Sequence, residues 1–358
     1  MIGALRVVPA AFLTGELRVI RCRVASYPCC RFAAVLAVAT MFAAAAACSR
    51  GQSAKAYSIG VVPKGTTHEF WKSIHAGAVK AARELDGHGI KVDITWKGPL
   101  REDDREQQVQ VVEGFLSQGV NGIVLAPLDE RALVRPVEEA KRAGIPTVII
   151  DSDLASKEIV SFVATDNLKG GELAADRLGQ LLGNKGRVLL LRYQEGSAST
   201  TFRENGFLQR MKTAYPGITV ISSDQYAGPT RDTAKRAAEN LLNRFGGDLQ
   251  GIFCVNESST AGTLLALQDI NRAGKIAFVG FDSSGPFIDA VRNGQLHGLV
   301  VQNPLNMGYL GVVTMVNHLQ GKAVERRIDT GVWMITKDNL DTPQSQELLR
   351  PPIDKYLD

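Results

Sequence analysis

Between Tyr57 and Thr336 the chain alternates short apolar runs with stretches of helical spacing, and then does so a second time. "YSIGVVP", "KVDITW", "GIVLAP", "PTVIID" and "SFVATD" read as strands. The segments between them, Phe70 to Leu85, Asp104 to Leu116 and Glu130 to Arg142, read as helices. In the first helix Phe70, Ile74, Ala78, Ala81 and Leu85 share one face. The rhythm restarts after Ala164 to Asn167. Strands "RVLLLRY", "ITVISSD", "GIFCVN", "IAFVGFD" and "LHGLVVQ" alternate with helices from Leu168, Thr200, Thr230, Ser258, Pro286 and Leu305, and "RIDTGVWMIT" closes the series as one last strand. Strands that alternate with helices form parallel sheets covered on both faces. About ten strands is more than one ordinary sheet holds, so the pattern predicts two similar α/β lobes.

Ahead of this body, Arg21, Arg23 and Arg31 precede an apolar run from Phe32 to Ala47 that is too short to span a membrane. That is the layout of a secretory signal over residues 1–47, unless translation starts later, near Val24. Ala45-Ala46-Ala47-Cys48 resembles a bacterial lipoprotein box, which makes Cys48 a lipidation site followed by a tether over 48–56; cleavage after Ala47 at an A-x-A site is the alternative. Past the leader only Cys48 and Cys254 remain, without metal or redox spacing, and Cys254 sits in an apolar run as a small core hydrophobe. The net charge is +4, and several of the positive charges lie in the leader. The body has no basic stripe, which excludes nucleic acid as a partner.

In open α/β sheets a ligand sits beyond the carboxyl ends of the strands. Those ends carry Thr67, His68, Glu69, Asp129, Asp151, Asp153, Glu195, Arg203, Asn256, Glu257, Asp282 and Gln302, with Phe70, Trp71, Tyr193 and Phe281 beside them. Planar polar side chains hold hydroxyls, and flat aromatic faces cover the C–H face of a sugar ring, so the set suits a polyol. Each residue has a plainer reading. Asp129 and Ser258 suit helix caps, one of Phe70 and Trp71 suits the core, and Glu195 and Glu257 suit the surface.

Taken in order, "HEFWKSIHAGAVKAARELD", "GVNGIVLAPLDERALVRPVEEAKRAGIPTVIIDSD", "VATDNLKGGELAAD", "STTFRENGFLQRM", "GIFCVNESSTAGTLLALQ", "VGFDSS" and "VQNPLNMGYLGV" resemble the type I periplasmic sugar-binding proteins of bacterial ABC importers, close to the ribose-binding group. The resemblance implies two Rossmann-like lobes joined by a three-strand hinge, with a monosaccharide clamped between them. It implies a first lobe of 57–164 plus 303–330 and a second of 165–302 plus 331–345. The family's ligand-binding residues fall on Phe70, Trp71, Asp151, Arg203, Asn256, Asp282 and Gln302, and Thr67, His68 and Phe281 join them by position. Two departures touch this set. Ser152 stands where ribose binders usually have arginine, and His68 lies near the place of a missing asparagine. The implied partners are a permease with its ATPase, and a membrane through the lipid at Cys48. The expected protein is a monomer that needs no cofactor. A receptor for a furanose-like autoinducer, or a sensory sugar receptor, is the alternative.

Other classes fit less well. A regulator on this fold carries a helix-turn-helix where this chain has its leader. No G-x-S-x-G elbow is present, and Gly170-Gly171 forms neither a dinucleotide fingerprint nor a phosphate loop. A glycosidase would need Asp151 and Asp282 to flank one bond.

Overall fold

The computed structural model describes residues 56–357; the leader, Cys48 and nearly all of the tether lie outside the described residues. Two six-stranded sheets form the body. The first contains β1 (Tyr57–Val62), β2 (Val92–Trp96), β3 (Gly122–Leu125), β4 (Thr147–Ile150), β5 (Ser161–Ala164) and β11 (Arg327–Asp329), in the order β11-β5-β4-β3-β1-β2. The second contains β6 (Gly186–Leu191), β7 (Ile218–Ser222), β8 (Gly251–Cys254), β9 (Ala277–Phe281), β10 (Gly298–Val301) and β12 (Trp333–Ile335), in the order β12-β10-β9-β8-β6-β7. Every pairing is parallel except β12 against β10. β3, β4, β8 and β10 are buried along their whole length, as sheets covered on both faces require.

Helices α1 (Glu69–Gly87) and α9 (Pro304–Leu319) cover one face of the first sheet, and α2 (Arg105–Gln118) and α3 (Val134–Arg142) cover the other. On the second sheet α4 (Asn167–Leu182) and α5 (Ala198–Ala214) cover one face. The other face is covered by α6 (Arg231–Phe245), α7 (Glu257–Asp269), α8 (Gly285–Arg292) and α10 (Pro343–Leu349). Each lobe has a close helix crossing against its sheet. A methyl group on Gly77 or Gly308 would collide with backbone across the α1–α9 contact, and Gly171 and Gly206 serve the α4–α5 contact in the same way. Gly171 is therefore a packing residue.

The chain crosses between the sheets three times, after β5, after β10 and between β11 and β12. The third crossing corrects the sequence-based expectation of one closing strand. "RIDTGVWMIT" breaks at Gly331, whose φ of +84° is left-handed backbone, and its halves join different sheets. The polar segment after it forms α10, which the apolar periodicity did not show. Helix α3 also begins at Val134 rather than Glu130.

Candidate functional site

In both sheets the strand order reverses beside the first strand, between β1 and β3 and between β6 and β8. The loops after β1 and β6 therefore open onto the switch point where such sheets bind ligands. Gln108 of α2, fully buried, fixes the first of these loops. Its Nε2 donates to the carbonyls of Pro63 and Ala126 (2.9 and 2.8 Å), and its Oε1 accepts from the Leu128 amide (2.8 Å).

A narrow cavity of about 30 Å³ lies between the lobes, well below the usual range for small-molecule sites. His68, Phe70, Trp71, Asp151, Arg203, Asn256, Asp282 and Gln302 all line it. Two expected residues do not. Thr67 is exposed just ahead of α1. Phe281 is fully buried on the α4–α5 face of β9, because strand alternation turns it into the core. Its ring lies under the Arg203 guanidinium, 3.8 Å from centroid to carbon, so it supports a cavity residue from behind.

The carboxylates of the two lobes occupy equivalent places. Asp151 follows β4, the fourth strand of its sheet, and Asp282 follows β9, the fourth of the other. Both have left-handed backbone, with φ of 60° and 69°. That conformation costs on the order of 1 kcal/mol for a residue with a side chain, and here it turns a carboxylate into the cleft from each sheet. Asp151 Oδ2 pairs with Lys64 Nζ at 2.9 Å. Among the described residues Asp282 accepts from neutral donors, Gln302 Nε2 (2.7 Å) and the Glu257 amide (3.0 Å). Burial pushes its carboxyl up to about 6, and nearby Arg203 and the Gln302 bond hold back only part of that rise.

Arg203 is buried, and burial lowers its affinity for its proton, against the pull of Asp282 and Asp151. Its Nε donates to Asn167 Oδ1 (2.8 Å) and its Nη1 to the Val255 carbonyl (2.9 Å); Nη2 has no hydrogen bond to the described residues. Gln302 Oε1 is likewise buried without a partner, an arrangement that costs about 1–3 kcal/mol until a donor reaches it. Asn256 lines the cavity and also caps α7, accepting from the Ser259 amide (3.3 Å), while Ser258 lies inside the helix rather than capping it. Asp129 caps a turn, accepting from the amides of Arg131 and Ala132 (2.9 Å each). Glu195 is exposed.

Six lining residues stand outside the expected binding set: Lys64, Glu102, Tyr193, Ser199, Thr200 and Glu257. Lys64, buried, donates to Ser197 and Ser199 Oγ of the other lobe (3.3 and 3.1 Å) besides pairing with Asp151. It sits in the strand-end stretch "PKGTTHEFW", where its position after β1 was a usable signal. Glu257 is buried and paired with Arg231 rather than lying at the surface. Tyr193 is buried, with its hydroxyl on Glu102. Glu102 lies in the loop after β2 and left no sequence signal, because a charged loop residue reads as solvated. Ser152, in the place of the expected arginine, accepts from the Ser199 amide across the cleft (3.0 Å).

Cys254 is a buried core thiol that donates to Thr263 Oγ1 (3.2 Å), and burial pushes it up to about 12. No cluster of metal-ligating side chains occurs among the described residues.

A family model for the periplasmic binding protein domain matches residues 59–323. The chain belongs to the periplasmic binding protein family. This periplasmic binding protein is 30% identical over 268 residues to a ribose import binding protein of Haemophilus influenzae, covering 75% of this chain and 87% of the relative. It is 31% identical over 268 residues to the D-allose-binding periplasmic protein of Escherichia coli, covering 72% and 83%. An ABC transporter solute-binding protein of Agrobacterium vitis with bound D-fucose superimposes with a TM-score of 0.77 at 35% identity, over 82% of this chain and 99% of that one. A carbohydrate transporter solute-binding protein of Agrobacterium radiobacter in complex with D-arabinose gives 0.77 at 32%, with the same coverage. Each of these proteins is named as a sugar or solute binder, and the family places the chain outside the cytoplasm.

Proposed function

We propose that this protein captures a neutral monosaccharide, a ribose-like sugar or related polyol, in the interlobe cavity and delivers it to an ABC permease with its ATPase. One observation carries the reading: the same small cavity joins an aromatic pair to planar hydrogen-bonding groups from both lobes, some with unused capacity. Phe70 and Trp71 are packed edge to face at 5.0 Å and offer apolar surface to a sugar's C–H groups. Arg203 Nη2 and Gln302 Oε1 offer a donor and an acceptor, and Asp151, Asn256 and Asp282 take part in the hydroxyl rim. The first lobe is 57–164 plus 303–330 and the second 165–302 plus 331–345, a division supported by the sheet membership of β11 and β12. The lobes close because ligand groups bind both at once, which shifts the population toward the closed form.

A thermal-unfolding screen of residues 57–358 against pentoses, hexoses, deoxy sugars, inositols and autoinducer-type furanoses tests this. A ligand at about a hundredfold above its Kd stabilises by about 2.7 kcal/mol. A strong shift with one sugar identifies the cargo; flat curves from folded, ligand-free protein overturn the monosaccharide reading. Cys48 bears the lipid anchor in this proposal, supported by the leader layout ahead of it. Cys48→Ser then releases the protein from membranes, and retention in the membrane fraction refutes the anchor.

A further inference from the structure

Glu102 lines the cavity, yet its side chain is engaged three times by other side chains of the protein. It comes from the loop after β2 and is only 7% exposed. Its Oε1 accepts from His68 Nδ1 and from Trp71 Nε1, both at 2.7 Å. Its Oε2 accepts from the Tyr193 hydroxyl of the other lobe at 2.6 Å, and its carbonyl accepts from Gln194 Nε2, also of that lobe, at 2.8 Å. A carboxylate has about four acceptor positions, so three are already used, which leaves little for a ligand. We propose that Glu102 is a positioning residue: it fixes the ring orientations of Trp71 and His68 on the first lobe and receives Tyr193 from the second when the cleft closes.

The charges around His68 give this arrangement a chemical consequence. His68 faces Glu102 in its own lobe, Glu257 of α7 at 3.3 Å, and, through Glu257, Arg231 of α6. Burial opposes its charge, but the hydrogen bond and charge of Glu102, with the charge of Glu257, outweigh burial and Arg231 and raise His68 to about 9. Burial opposes ionisation of Glu102 as well, and the bonds from His68, Tyr193 and Trp71 still bring it down to about 2. The ring is therefore an imidazolium at neutral pH. With Nδ1 held by Glu102, Nε2–H is a donor that meets an acceptor oxygen of the ligand and rejects a donor. This last step rests on the sugar-receptor reading; the positioning of His68 and Trp71 does not.

The experiment follows the His68 titration by NMR in the ligand-free full-length protein, assigned by the resonance lost in His68→Gln, in wild type and in Glu102→Gln. Binding and release of D-ribose, D-allose, D-arabinose and D-fucose are measured on the same proteins. The expected result is a His68 pKa at least one unit lower in Glu102→Gln, with affinity for the bound sugar weakened at least tenfold. Tyr193→Phe, which deletes only the interlobe bond, should speed sugar release while leaving the His68 titration in place. An unchanged His68 pKa in Glu102→Gln overturns the proposal. Should Glu102→Gln fail to fold, unchanged release from Tyr193→Phe overturns the interlobe part by itself. A lowered His68 pKa in a protein that binds none of the sugars upholds the positioning role and counts against the sugar reading.

Discussion

The two lobes repeat one plan and differ where it meets the ligand. Each sheet reverses its order beside its first strand, each has a glycine-lined helix crossing, and each ends its fourth strand in an aspartate with left-handed backbone. In the first lobe that aspartate is neutralised by Lys64 at 2.9 Å, whereas in the second Asp282 is surrounded by neutral donors, with Arg203 near but not bonded. The same backbone position thus supports two kinds of carboxylate. One has its charge balanced inside the protein, and the other carries a burial penalty that ligand hydroxyls can relieve. A site built this way binds with one lobe held rigid by its own ion pair and the other waiting for donors.

Removing Arg203 breaks the second half of this comparison most completely. Arg203→Ala is expected to abolish sugar binding while the circular dichroism spectrum stays native, and Arg203→Lys to restore little, because an ammonium cannot replace a planar fork. Unchanged affinity by calorimetry would show that the cavity is not the site.

The paired aspartates come next, and they should fail in opposite ways. Asp151→Asn leaves Lys64 buried without its counter-charge, and breaking such a pair costs about 3–5 kcal/mol; the main loss is in the melting temperature. Asp282→Asn removes a carboxylate that burial already disfavours. It should change stability by no more than about 1 kcal/mol and weaken sugar binding at least tenfold. Equal stability losses in the two variants would erase the distinction between the lobes.

The smallest effect is the pH dependence. Burial pushes the Asp282 carboxyl up from its ordinary value of 3.8 to about 6 in the folded protein. The folded state therefore holds the extra proton, and the ligand-free protein gains stability from this group as pH falls from about 6 toward 4. Affinity moves the other way, since a protonated carboxyl accepts fewer hydroxyl donors. Sugar affinity should weaken several-fold between pH 7 and 5, and the trend should vanish in Asp282→Asn. His68, at about 9, does not contribute in that range. A flat affinity profile in wild type would exclude an ionised Asp282 from the contact.

Much of this was legible before any coordinates. Short, wholly apolar strands between amphipathic helices define buried parallel sheets, and a ligand site at the strand ends follows from that topology. Eight of the ten residues expected at the cleft line it. Thr67 and Phe281 lie outside it because adjacency in sequence does not tell which way a side chain turns: Thr67 faces solvent ahead of α1, and Phe281, on its strand, faces the core. Gly331 shows a related limit. The strand propensity around it is continuous, yet one left-handed residue divides the segment between two sheets.

By itself the sequence determined the α/β class, the twofold repeat and the strand-end location of the cleft, because these rest on local periodicity. Only the tertiary structure decided which polar groups are spent on each other. Lys64 meets Asp151 across 87 positions of chain, and Glu102 meets Trp71, His68 and Tyr193 across 31, 34 and 91. The strength and protonation of a buried charge depend on its nearest neighbours in space, and no local pattern records them.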